Sequence, residues 1–162
     1  MGADLYIKSI SDKVRAKYKP RFDKAVEMRE RATKNGDKVV EASSQALVEF
    51  YFNKLNGRQG YFRDSYNHSS LLWVLGLSWW GDINKMLDKN RNLSVANTKK
   101  LLEMIKERKV PKTLVLNEEM VTIDDGENSL AEWRKSFVKR RVEFIKFLEK
   151  AIALREPIYC ST

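Results

Sequence analysis

The chain carries almost none of the residues from which small domains build disulfides, metal sites or nucleophilic triads. Among 162 residues there is one cysteine, Cys160, and one histidine, His68. A lone thiol excludes an internal disulfide and suits a reducing compartment. One histidine and one cysteine cannot assemble a His/Cys zinc site. No P-loop, G-x-G-x-x-G, H-E-x-x-H, C-x-x-C or G-x-S-x-G pattern occurs, so no metal and no cofactor are expected. The acidic cluster Asp124, Asp125 and Glu127 does not rescue a calcium loop. Aligning Gly126 with the glycine of an EF-hand puts Val121 and Ile123 where oxygen ligands belong. Apolar runs long enough to span a bilayer are absent, and the opening MGADLYIKSI lacks the basic-then-apolar order of a signal peptide. The expectation is a cytoplasmic protein with no membrane partner.

Glycine (7) and proline (3) are also scarce, which favours long helices over strands and turns. What is present is a 43% hydrophobic and 10% aromatic composition, enough apolar surface for a folded core. The length suits one domain over residues 1–162. The reading is an all-α or mostly-α bundle of about five helices. Pro20 suits the first turn of a helix that stops at Asn35-Gly36, and Asp37 caps a second helix ending at Asn56-Gly57, making an αα-hairpin. Ser94 caps a further helix through VANTKKLLEMIKER. The segments LYIKSI and EPIYCST at the two ends read as short strands that could pair, and a small hairpin is the reading near 113–123.

Between these lies YFRDSYNHSSLLWVLGLSWWGD, residues 61–82, with three of the four tryptophans of the chain. Read as one helix from about Ser69 to Asp88, it is apolar nearly all round from Leu71 to Trp80, the pattern of a buried central helix. On that reading Trp73 and Trp80 pack in the core and Trp79 lines a pocket. The polar prefix adds stacking surfaces, donors and acceptors, so Tyr61, Arg63, Asp64, Tyr66, Asn67, His68 and Trp79 are the candidate binding residues. The bland alternative is that Asp64, Asn67 or Ser69 caps the helix while Arg63 pairs with an acid. In the last helix Trp133, Phe137, Val138, Phe144, Ile145, Leu148, Ala151 and Ile152 share one face, and Arg141 projects from it. A buried guanidinium needs a counter-charge, for which Asp64 and Asp82 are the candidate partners.

The net charge of +9 raises the prior for an anionic partner. Two clusters carry much of it: Lys13, Arg15, Lys17, Lys19 and Arg21 with Asp12 as the lone acid, and Arg134, Lys135, Lys139, Arg140 and Arg141 with none. Nucleic-acid proteins usually interleave aromatics with such charge, whereas the aromatics of the last helix lie opposite its lysines. GADLYI, GYFRDSYN, LSWW and EPIYCS together resemble small proteins of bacterial and phage genomes. The resemblance implies a bacterial or phage setting, and by association an accessory or anti-defence factor that binds and inhibits host machinery. It implies no site residue. The leading expectation is therefore a non-catalytic binding or inhibitory protein whose partner is a host or cellular protein or an anionic small molecule. Nucleic-acid binding through the two basic clusters is the first alternative, and an enzyme using Asp64, His68 and Asp82 is the second.

Overall fold

The computed structural model describes residues 2–55, 60–65, 70–112, 114 and 130–161, and of Leu130 the backbone alone. The elements run β1 (Gly2–Ile7), α1 (Lys8–Asn35), α2 (Lys38–Leu55), β2 (Tyr61–Ser65), α3 (Leu71–Val74), β3 (Asn92–Leu93), α4 (Val95–Glu107), α5 (Leu130–Leu154) and β4 (Ile158–Ser161). A π-helical turn (Trp79–Ile83) and a 3-10 turn (Asn84–Met86) lie between α3 and β3. The fold is mostly α with one small sheet. Its residues fall into two compact units, Met1–Ile7 with Phe62–Thr162 and Lys8–Tyr61.

In the first unit the strands lie in the order β2-β1-β4-β3. The two ends of the chain do pair: β1 is antiparallel to β4, with Leu5 opposite Cys160 and Tyr6 opposite Tyr159. Alternation decides what each strand hides. Ala3, Leu5 and Ile7 of β1, Leu93 of β3, and Ile158 and Cys160 of β4 are buried, while the Tyr6 and Tyr159 rings pair across the strands at 6.4 Å. The sheet meets α5 through aromatic contacts, Phe62 stacking on Phe144 with ring centroids 4.4 Å apart and lying 6.1 Å from Phe147. α4 packs on the same helix. Its start is the one read from the sequence, with Ser94 Oγ accepting from the Asn97 N–H at 3.2 Å, and Leu101 and Ile105 are fully buried. Burial pushes the Cys160 thiol up to about 12, so it stays protonated and inert at neutral pH.

The second unit is the expected αα-hairpin, with Asp37 Oδ1 accepting from the Val40 N–H at 3.1 Å at its turn. Two features differ from expectation. α1 begins at Lys8 and runs through Pro20, which sits inside the helix, so LYIKSI is half strand and half helix. The helices approach through small residues: Ala25 and Ala32 from α1, Ser44 and Val48 from α2 are the buried positions.

The tryptophan segment is not one helix. Gly76 adopts φ +71, a backbone conformation that side chains with a Cβ disfavour. The Gly76 N–H donates to Trp73 O at 2.8 Å and the Leu77 N–H to Leu72 O at 2.8 Å, closing α3 after one turn in the manner of a glycine C-cap. Side-chain phase is lost at that break, and the assignments of the tryptophans invert. Trp79 is buried, whereas Trp73 and Trp80 are 50% and 61% exposed. The small hairpin read near 113–123 and the acidic loop lie outside the described residues, Leu114 excepted. Among the described residues no helix is long and apolar enough to cross a membrane.

The inversion has a measurable consequence. Trp79→Ala is expected to cost about 3–5 kcal/mol of stability through its cavity, and Trp73→Ala and Trp80→Ala each less than about 1 kcal/mol. Urea melts of the three variants check the order.

Candidate functional site

Two residues singled out in the sequence, Trp79 and Arg140, meet at Asp64 in a structural network. β2 alternation points Phe62 and Asp64 inward, so a carboxylate takes a position otherwise suited to an apolar residue. Donors from several elements meet it. The backbone N–H groups of Leu71 and Leu72 donate to its two oxygens at 2.9 and 3.1 Å, capping α3 from a neighbouring strand. Trp79 Nε1 donates at 3.3 Å and Arg140 Nη2 at 3.1 Å. Arg140 also donates to Arg63 O at 2.7 Å, and its guanidinium lies 5.7 Å from the Phe62 ring centroid. Burial pushes the Asp64 carboxyl above its ordinary value, and the Leu71 and Leu72 hydrogen bonds and the Arg140 charge offset this only in part.

The other candidates are placed as follows. Arg63 is exposed and lies 3.7 Å from Asp4, the pairing with an acid that the bland reading expected. Tyr61 is half-buried at the start of β2. Tyr66, Asn67 and His68 lie outside the described residues. Asp82 accepts from the Ser78 N–H at 2.8 Å while Ser78 Oγ accepts from the Gly81 N–H at 3.1 Å, a reciprocal cap on the π-helical turn. Neither acid pairs with Arg141. Its guanidinium donates instead to the carbonyls of Ile105, Lys106 and Arg108 at 2.8 to 3.3 Å. The end of a helix leaves carbonyls without intrahelical partners and carries partial negative charge, so α4 satisfies this cation without a carboxylate. The partner of Asp64 is the preceding residue, Arg140.

Three members of the basic cluster at 134–141 make hydrogen bonds within the fold. Arg134 donates to Pro111 O at 2.8 Å, Arg140 serves Asp64, and Arg141 caps α4. Lys135 and Lys139 remain as exposed charges. The cluster at 13–21 is different. Lys13, Arg15, Lys17, Lys19 and Arg21 are all exposed on α1, and α2 brings aromatic rings to them that the sequence pattern of α1 does not reveal. Tyr18 and Tyr51 rings lie 6.4 Å apart, Phe22 and Phe52 6.4 Å, and Phe50 and Tyr51 5.3 Å. Lysine ammonium groups sit over three of these rings: Lys17 over Tyr18 at 5.2 Å, Lys19 over Phe22 at 5.9 Å and Lys54 over Phe50 at 5.3 Å.

The two flanks of the hairpin are unequal. At about 100° per residue, Lys13, Lys17, Arg21, Lys24 and Met28 of α1 fall on the same side as Val40, Leu47, Tyr51 and Lys54 of α2. Between Lys13 and Arg21 on α1 and between Val40 and Lys54 on α2 no carboxylate of the described residues falls on this side, and the exposed Glu27 borders it on the outer face of α1, one helical turn from Lys24. The opposite flank holds Phe22 and Phe52 together with Arg29, Gln45, Glu41 and Glu49, linked by Arg29 to Gln45 at 3.2 Å and Gln45 to Glu49 at 2.9 Å. The basic flank also exposes apolar surface, with Met28, Val40 and Leu47 each about two-fifths exposed and Phe50 beside them at 52%. Two signals made it findable from sequence: the run of basic residues in α1 and the apolar positions of α2 that exceed what one partner helix can cover. No family model, curated protein or solved structure matches the chain.

Removing the Asp64 carboxylate strands Arg140 and two helix N–H groups. Asp64→Ala is therefore expected to lose about 3–5 kcal/mol in a denaturant melt. Asp64→Asn isolates the proton. A carboxyl whose value is raised by folding adds stability below the ordinary carboxylate range, and that contribution is lost as pH rises through the raised value. The stability of wild type relative to Asp64→Asn should thus fall as pH rises above the ordinary carboxylate range, as read by urea unfolding at several pH values.

Proposed function

We propose that the protein is a binding module without catalysis, and that it engages an anionic partner through the basic flank of the helical hairpin. One observation carries this reading: Lys13, Lys17, Arg21, Lys24 and Lys54 share a flank with the exposed apolar side chains Met28, Val40 and Leu47, and the nearest acid among the described residues, Glu27, stands at its outer edge. An ordinary solvated helix face mixes both signs. A face with one sign around an apolar centre attracts a partner of the opposite charge and then buries area against it. The acids of the enzyme reading add no support for catalysis, since Asp64 and Asp82 are engaged in capping backbone N–H groups.

The exposed Trp73 and Trp80 favour a second reading, a protein partner, because tryptophan is enriched at the energetic centres of protein interfaces. A partner retained equally by wild type, Trp73→Ala and Trp80→Ala would remove it.

Charge reversal tests the first reading. Lys17→Glu, Arg21→Glu and Lys24→Glu in one variant should weaken binding to a fluorescently labelled polyphosphate chain by at least about tenfold at low salt. The same change in charge at Lys99, Lys100 and Lys146, exposed on α4 and α5, should leave it within about twofold. Wild-type affinity should fall steeply with salt as displaced counterions lose their entropic advantage. Equal loss in both variants would show general electrostatics and overturn the assignment to the hairpin.

A further inference from the structure

The aromatic rings of the hairpin identify the anion more closely. We infer that the basic flank binds single-stranded nucleic acid, with Tyr18, Tyr51 and Phe50 as stacking surfaces and Lys17, Arg21 and Lys54 on the phosphates. This rests on the reading of that flank as an anion-binding face.

The rings form a continuous run. Tyr18 lies 6.4 Å from Tyr51, tilted by 37°, and Tyr51 lies 5.3 Å from Phe50, edge-on at 75°. Ring faces turned at successive angles suit bases that are splayed apart, whereas the bases of a duplex present only their edges in the grooves. Phe50 is 52% exposed, and Tyr18 and Tyr51 are half-buried, so each keeps part of its ring surface accessible to solvent. Lys17 and Lys54 hold their ammonium groups over the rings of Tyr18 and Phe50 at 5.2 and 5.3 Å. A cation that near a stacking surface is within reach of the phosphate of the base stacked there, and every base offers a π-face, so the mode requires no particular sequence.

The opposite flank supplies an internal control. Phe52 is 54% exposed, almost the same as Phe50, but it sits one helical turn from Glu49 on the flank that bears the acids. The inference therefore separates two phenylalanines of equal exposure. Phe50→Ala should weaken binding and Phe52→Ala should not.

The probe is a fluorescein-labelled oligothymidylate of about 16 nucleotides, read by anisotropy against three others: an abasic oligomer of the same length, a duplex of that length, and labelled polyphosphate. Wild type should prefer the oligothymidylate over the abasic oligomer and the duplex by at least about tenfold. Phe50→Ala should lose about tenfold toward the oligothymidylate, leave polyphosphate affinity unchanged and keep the wild-type circular dichroism spectrum. Because stacking releases no counterions, its salt slope should match wild type, whereas Lys17→Gln should reduce the slope by about 1. Equal affinity for the abasic oligomer, tighter binding to the duplex, or equal loss in Phe50→Ala and Phe52→Ala would overturn the inference while leaving an anion-binding hairpin. Failure of every probe, polyphosphate included, would overturn both.

Discussion

A buried carboxylate tolerates no missing partner, and Asp64 makes the first unit answer to that requirement. Strand alternation turns it inward beside Phe62. From there it takes donors from three separate places: the start of α3, the indole of Trp79 in the π-helical turn, and Arg140 in the middle of α5. A shift in any of these elements leaves either a charge or a backbone N–H unsatisfied in a low-dielectric setting, at a cost several times that of an ordinary surface contact. The edge strand, a one-turn helix and the long C-terminal helix are thereby held to one arrangement. The apolar contacts of Phe62 with Phe144 and Phe147 supply area but little direction, and the carboxylate supplies the direction.

Neighbouring arginines divide the remaining work. Successive residues on a helix point about 100° apart, so Arg140 reaches the strand while Arg141 reaches the final carbonyls of α4. With Arg134 bonded to Pro111 O, three of the five cations between 134 and 141 are engaged in hydrogen bonds within the fold. That cluster is dense in charge but has little left for a partner. The hairpin shows the reverse economy: its helices meet through alanine, serine and valine, which consume little of the available surface, and the larger apolar and basic side chains stay outward. Small residues at the contact let the helices approach closely and leave the long side chains to other uses.

Much of the architecture was legible in local signals. The hairpin turn at Asn35-Gly36-Asp37, the Ser94 cap of α4, the amphipathic stripe of α5 and the extended character of both ends each depend on residues within a few positions of one another. Such signals survive in any tertiary setting, because a cap or a turn satisfies its own backbone groups. The candidate site was legible only in part. Asp64 was singled out as a helix cap and ion-pair member, and it is both, but its partner is Arg140 and not Arg141. The aromatic–basic flank was visible only as a run of lysines and arginines in α1 and a surplus of apolar positions in α2, since it takes the pairing of the two helices to bring Tyr51 and Phe50 beside Tyr18.

Composition and spacing were enough to establish a mostly helical chain with a hairpin, a capped α4 and a long amphipathic final helix, because those features are settled by short-range sterics and hydrogen bonding. Three matters waited for the tertiary structure. Gly76 took φ +71 and ended α3 after one turn, so the helical phase that would have set Trp80 on the face of Trp73 did not extend past it, and Trp79 went inside instead. Arg141 found a helix end where a carboxylate was expected, because backbone carbonyls far apart in sequence are invisible to pattern. Lastly, which flank of the hairpin gathers the basic residues depends on how two antiparallel helices face one another. A single helix has a polar and an apolar face, and only the pairing of two decides which charges end up side by side.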